Sequence, residues 1–138
     1  MFDITSQAVN EAATIHIKSA AGELLYADEA RTLPVRIRIY GPGSKAAGLV
    51  DARQSSRAVR RMQDNDGKIT VAPFEERLQE TAEDLAALTI DFENVLYPPA
   101  GDARGAELFT AVYADQSLGF IVKQVKQFLG DWGNFRGA

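Results

Sequence analysis

The chain of 138 residues is 46% hydrophobic and 25% charged, with a net charge of −4. This length and composition fit one globular domain with a single core. The acidic balance argues against a nucleic-acid partner, which would require a basic surface. With no cysteine and one histidine, the chain lacks the thiolates of disulfides and of most zinc sites, so we expect no metal.

No apolar run approaches the roughly 20 residues needed to cross a bilayer. The N-terminus lacks the basic start and apolar core of a signal peptide. We therefore expect no membrane partner and a location in the cytoplasm. Residues 1–138 are predicted to form a single domain, with an N-terminal segment (1–12) that can be flexible and an aromatic C-terminal tail (131–138).

Two stretches alternate apolar and polar residues as half-buried strands do: "ATIHIK", residues 13–18, and "PVRIRIY", residues 34–40. Such strands, joined by a moderate loop, are expected to pair antiparallel with one face in water. The apolar positions expected to face the core are Ile15, Ile17, Val35, Ile37 and Ile39. The polar positions form a basic outer face: His16, Lys18, Arg36 and Arg38.

The stretch "YGPGSK" contains the parts of a phosphate-binding loop: glycines, a lysine and the start of a helix. Its two glycines are only two residues apart, however, and Ala46 stands where a magnesium-binding hydroxyl should follow Lys45. The residues fit a corner instead, because Pro42 and Gly43 are typical of a type II turn and Ser44 of a helix N-cap. We predict no nucleotide site here.

A basic helix is predicted over residues 44–63, with a thin apolar stripe of Leu49, Ala52, Val59 and Met62. A second helix begins near Pro73 and runs to about Leu88. Its core positions are expected to be Phe74, Leu78, Thr81, Leu85 and Leu88. Its outer face is expected to be acidic: Glu75, Glu76, Glu80, Glu83 and Asp84. The opposite charges favour complementarity within the molecule or with a partner.

The last third of the chain predicts a short third strand within residues 89–97, a helix over residues 106–114 and a final helix between Ser117 and Gly130. The final helix has the cleanest apolar stripe and is expected to be the main core element. The predicted class is therefore α+β, with a small antiparallel sheet of two to three strands and about four helices packed on one face.

No residue pattern predicts catalysis or a cofactor. "DNDGK", residues 64–68, lacks the glycine at the sixth position of a calcium loop, and His16 has no nucleophile at a fixed spacing. We expect no enzyme activity and no small-molecule substrate. Six residues are candidates for binding a partner: Arg53, Arg57, Arg60, Arg61, Trp132 and Phe135. The alternatives are a solvated basic helix and two aromatic residues that close the core.

The order of these pieces, from "ATIHIK" to the final helix, resembles the small tail assembly chaperones of long-tailed bacteriophages and prophages. The resemblance covers residues 2–135, and its most distinctive stretches are "YGPGSK" (40–45) and "YADQSLGFI…FLGDWGNF" (113–135). It implies a non-enzymatic protein that coats the tape-measure protein during tail assembly in the host cell cytoplasm and is absent from the finished virion. Such a chaperone is also expected to self-associate along that long chain. The alternative is a structural phage component, such as a tail, neck or head-decorating subunit.

Overall fold

A computed structural model describes residues 1–137. Ala138, the last residue of the predicted tail, lies outside the described residues. The strands are β1 (Ala12–His16), β2 (Arg36–Tyr40) and β3 (Thr89–Glu93). The α-helices are α1 (Lys45–Asp64), α2 (Phe74–Leu88), α3 (Ala106–Ala114) and α4 (Gly119–Leu129). The predicted α+β class, with a small antiparallel sheet and helices, is confirmed.

The strands form one antiparallel sheet in the order β1-β2-β3. Ile15 of β1 lies opposite Ile37 of β2, and both are buried, as the alternation predicts. The outer face is not purely basic, because β3 adds acidic residues to it. Arg36 donates to Glu93 across the β2–β3 pair, with 2.6 Å between Nε and Oε2.

Helices α2, α3 and α4 bury apolar residues in one core with the inner face of the sheet, and α2 and α3 pack closely together. Tyr113 of α3 is fully buried, and its hydroxyl lies 2.7 Å from the Thr89 hydroxyl. Burial raises the pKa of Tyr113 to about 12, so this side chain remains neutral and hydrogen-bonded in the core.

Two expectations about the helices are wrong. In α4 only Val125 is fully buried, whereas α2 buries Ala82, Leu85, Ala86 and Leu88. The reason is that α2 packs against both α1 and α3, so it has two neighbours to cover it. In α2 itself, Phe74 is about half exposed while Asp84, predicted for the outer face, is buried.

The corner between β2 and α1 is closed by hydrogen bonds around Ser44. The Ser44 backbone N–H donates to the Gly41 carbonyl (3.1 Å), and its hydroxyl accepts from the Ala47 N–H (3.1 Å) as the predicted N-cap. Gly43 lacks the positive φ that a type II turn requires, so that turn type is wrong. Gly41 is needed for space, because a Cβ there would lie 2.4 Å from the Phe135 ring.

The C-terminal tail folds back onto the domain. Trp132–Phe135 form a 3-10 turn that places Phe135 in the core at 1% exposure, while Trp132 stays 56% exposed. The Asn10 N–H donates to the Phe135 carbonyl at 2.6 Å. Phe135 therefore closes the core and Trp132 does not. In the described residues, 1–137, no helix is long and apolar enough to span a membrane.

Candidate functional site

Helices α1 and α2 are held together by a ladder of opposite charges. Arg53, Arg57 and Arg61 are four residues apart on α1, so they lie along one stripe of the helix. The partners on α2 have the same spacing in the reverse order: Asp84, Glu80 and Glu76. The matched spacing fixes the antiparallel register of the two helices.

Asp84 is the centre of this ladder and is only 7% exposed. Arg57 binds its carboxylate with two hydrogen bonds, Nη1 to Oδ2 and Nη2 to Oδ1, each 2.8 Å long. Arg53 Nη2 donates to Oδ1 at 2.9 Å and Gln54 Nε2 donates to Oδ2 at 3.1 Å. Four donors thus satisfy a carboxylate that has been removed from water.

The end of the ladder at Arg61 is more exposed to solvent than the end at Asp84. Arg61 Nη2 lies 2.8 Å from both oxygens of Glu80 and 3.5 Å from Glu76. Arg57 also lies 3.8 Å from the carboxylates of Glu80 and Glu83. Because neighbouring pairs share members, the ladder is a connected network rather than a row of independent surface pairs.

The ionisation of these groups follows from their contacts. Burial alone would raise the pKa of Asp84, but the hydrogen bonds from Arg57, Gln54 and Arg53 outweigh burial and hold it below its usual value. The hydrogen bond with Asp84 likewise raises the pKa of Arg57. Each of the three arginines of the ladder is thus ion-paired with a carboxylate of α2 in the same molecule.

The ladder changes the interpretation of the candidate arginines. Arg53, Arg57 and Arg61 face α2, so complementarity within the molecule accounts for them. Arg60 lies beside the ladder, in an open cleft of about 290 Å³ at the C-terminal end of α1. Among the four arginines it is the one whose charge is outside the ion pairs of residues 1–137.

The apolar stripe of α1 faces water. We name the outer face of α1 by its exposed residues: Leu49, Ala52, Ser56, Val59 and Met62. Leu49 is 66% exposed and Val59 is 55% exposed. The one buried residue of this helix is Val50, so the apolar stripe does not face the core. The spacing of three, four and three residues along Leu49, Ala52, Ser56 and Val59 is typical of a helix that packs against another helix.

Trp132 is a further exposed apolar residue and lies next to the start of α1. Its ring lies over the corner, with Cζ3 3.5 Å from the position of a Cβ on Gly43. Trp132 and Phe135 lie in the same 3-10 turn, but Trp132 is exposed to solvent and Phe135 is buried in the core. Of the two, only Trp132 is accessible to a partner.

The remaining candidate centres have structural roles. His16 Nε2 lies 2.8 Å from the Leu25 carbonyl oxygen, and its ring packs edge-on against Tyr26. Within residues 1–137, no group of three or more metal-binding side chains is suitably placed to hold an ion. Comparisons with profiles of protein families, with curated proteins and with solved structures find no match to this chain.

Proposed function

We propose that this protein is a non-enzymatic tail assembly chaperone that binds the tape-measure protein of a long-tailed phage, and that the outer face of α1 is the contact surface. The observation that carries the proposal is that α1 is attached by charge on one side and exposes apolar residues on the other. A 20-residue helix with Leu49 and Val59 in water is available to a helical partner.

The size of the surface fits repeated weak contacts. The exposed parts of Leu49, Val59 and Met62 amount to fewer than two whole side chains. Covering them would contribute roughly 2–5 kcal/mol, which is no more than association itself costs. One copy would therefore bind weakly, whereas many copies along one long chain would bind tightly through avidity. This is the behaviour expected of a protein that coats a tape measure and then leaves.

The family resemblance supports the same proposal through its two most distinctive stretches. They are far apart in the chain but meet in the fold, where Gly41 of "YGPGSK" allows the ring of Phe135 to approach. Gly41 in one stretch and the ring of Phe135 in the other pack against each other, so one contact accounts for the residue at both positions.

Co-expression with the tape-measure protein of the same genome tests the proposal. We expect the two proteins to co-purify and the tape-measure protein to stay soluble only when this protein is present. We also expect purified virions to lack it. Detection of stoichiometric amounts in virions, without tape-measure binding, would instead identify a structural component.

A further inference from the structure

The edge of the sheet formed by β1 is paired at both ends and open in the middle. In the β1–β2 ladder the odd-numbered residues bond to β2, since Ile17 donates to the Val35 carbonyl (2.9 Å) and Gly41 donates to the Glu11 carbonyl (2.8 Å). The backbone groups of even-numbered residues therefore point away from β2. These residues are Ala12, Thr14 and His16, and no segment within residues 1–137 pairs with them on that side.

The two ends of this edge show what it can bind. At one end, the Asn10 N–H donates to the Phe135 carbonyl at 2.6 Å. At the other end, the side-chain amide of Gln124 accepts from the Lys18 N–H (2.8 Å) and donates to the Lys18 carbonyl (2.7 Å). Gln124 makes the two bonds that a residue of an added strand would make. The edge thus already binds an amide of the chain itself.

A groove lies beside the open stretch. It has a volume of about 430 Å³ and separates β1 from α4 and the C-terminal tail, with Ile15, His16, Gln127 and Phe128 among its lining residues. The five residues Ala12–His16 extend over roughly 15 Å, which is the length of a short strand. The groove therefore leaves room for a strand beside the unpaired backbone groups of β1.

The two faces of the groove differ in chemistry. On the core side, an added strand would lie beside Ile15 and Phe128, which favours apolar side chains. On the outer side it would lie beside Lys18, with Arg38 opposite Thr14 in the next strand, which favours acidic side chains. The carboxylate of Asp131, also in the groove, already accepts the Gly133 N–H at 2.9 Å.

We propose that the open edge of β1 binds an extended peptide of a partner protein, with alternating apolar and acidic residues, as a fourth strand of the sheet. Backbone hydrogen bonds to Thr14 and His16 supply the affinity, and the two faces of the groove supply the preference for sequence. This surface is separate from the outer face of α1, and the binding is of a strand rather than a helix.

The probe for this site is the synthetic peptide acetyl-Val-Glu-Val-Glu-Val-amide, titrated into isotope-labelled protein and followed by NMR. In the free protein, the Thr14 and His16 amides should exchange with solvent faster than the Ile15 amide, which is bonded to β2. Added peptide should shift the Thr14 and His16 amide signals and slow their exchange. If no shift occurs at these amides up to millimolar peptide, the proposal is wrong.

Two N-methylated versions of the peptide provide the sharpest control, because N-methylation removes a donor and blocks approach to the edge. Methyl groups on one alternating set of amides should weaken binding by about tenfold or more, the equivalent of about one hydrogen bond. Methyl groups on the other set should change it less than about twofold. Equal effects of the two sets would contradict strand addition.

Variants of the protein separate this site from the proposed function. Thr14→Pro removes a donor on the open side only, where an edge strand tolerates proline, and should abolish peptide binding. Val59→Asp on the outer face of α1 should leave it unchanged. If the wild-type protein instead forms a dimer that Thr14→Pro dissolves, the edge belongs to a second copy and the proposed occupant is wrong.

Discussion

Arg57 and Asp84 face each other with two parallel hydrogen bonds, each 2.8 Å long, between a guanidinium on α1 and a carboxylate on α2. This geometry is the strongest form of charged hydrogen bonding available to side chains. It explains how α1, a helix with one buried apolar residue, remains attached to the domain.

Removing Arg57 should destabilise the fold far more than removing its neighbour Arg60. Arg57→Ala deletes two hydrogen bonds to the buried carboxylate of Asp84 and should cost about 1.5–3 kcal/mol in the free energy of unfolding. Arg60→Ala, in the same helix but outside the ladder, should leave the free energy of unfolding unchanged. Urea unfolding of both variants checks this. Similar values for the two would mean that the ladder does not hold α1.

The ladder should also give the protein an acid-sensitive stability. The folded-state pKa of Asp84 is lowered, so its contribution is fully present above the unfolded pKa of about 3.9 and is lost as pH falls through the folded value. Replacing Asp84 with Asn removes this titration. The urea midpoint of Asp84→Asn should therefore fall less steeply below pH 4 than that of the wild type. Parallel curves would show that other carboxylates account for the slope.

Two glycines close together in the chain should respond to alanine in opposite directions. Gly41→Ala places a Cβ against the Phe135 ring and should destabilise by about 1–3 kcal/mol through overpacking. Gly48 lies inside α1 with open space around it, so Gly48→Ala should stabilise by about 0.5–1 kcal/mol. Thermal unfolding measures both. A neutral Gly41→Ala would mean that the tail moves away without cost.

Local patterns in the sequence predict most of the fold. Alternation locates the strands, Ser44 marks the start of α1 and the bounds of α3 match the prediction, because each signal depends on neighbouring residues. The facing of α1 could not be predicted in this way. Apolar periodicity normally indicates the buried side of a helix, but here the arginine side of α1 faces α2. The acidic partners of these arginines lie about 20 to 30 residues further along the chain.

The candidate site shows the same limit. The opposite charges of the two helices are visible in the sequence. The matched four-residue spacings, Arg53, Arg57 and Arg61 on α1 and Asp84, Glu80 and Glu76 on α2, become a pattern of contacts only once the helices lie antiparallel. Gly41 is a second example, because the residue that requires a glycine there is Phe135, near the other end of the chain. The open edge of β1 depends on long-range pairing and has no local signal.

The measurement that tests the central claim most directly is the affinity of outer-face variants for a tape-measure fragment. Leu49→Asp combined with Val59→Asp places two charges on the outer face of α1 without touching the ladder. The double variant should keep the wild-type melting temperature and lose at least about tenfold in affinity, while Arg60→Ala should lose less. Wild-type affinity in the folded double variant would contradict the assignment of the outer face of α1 as the binding surface.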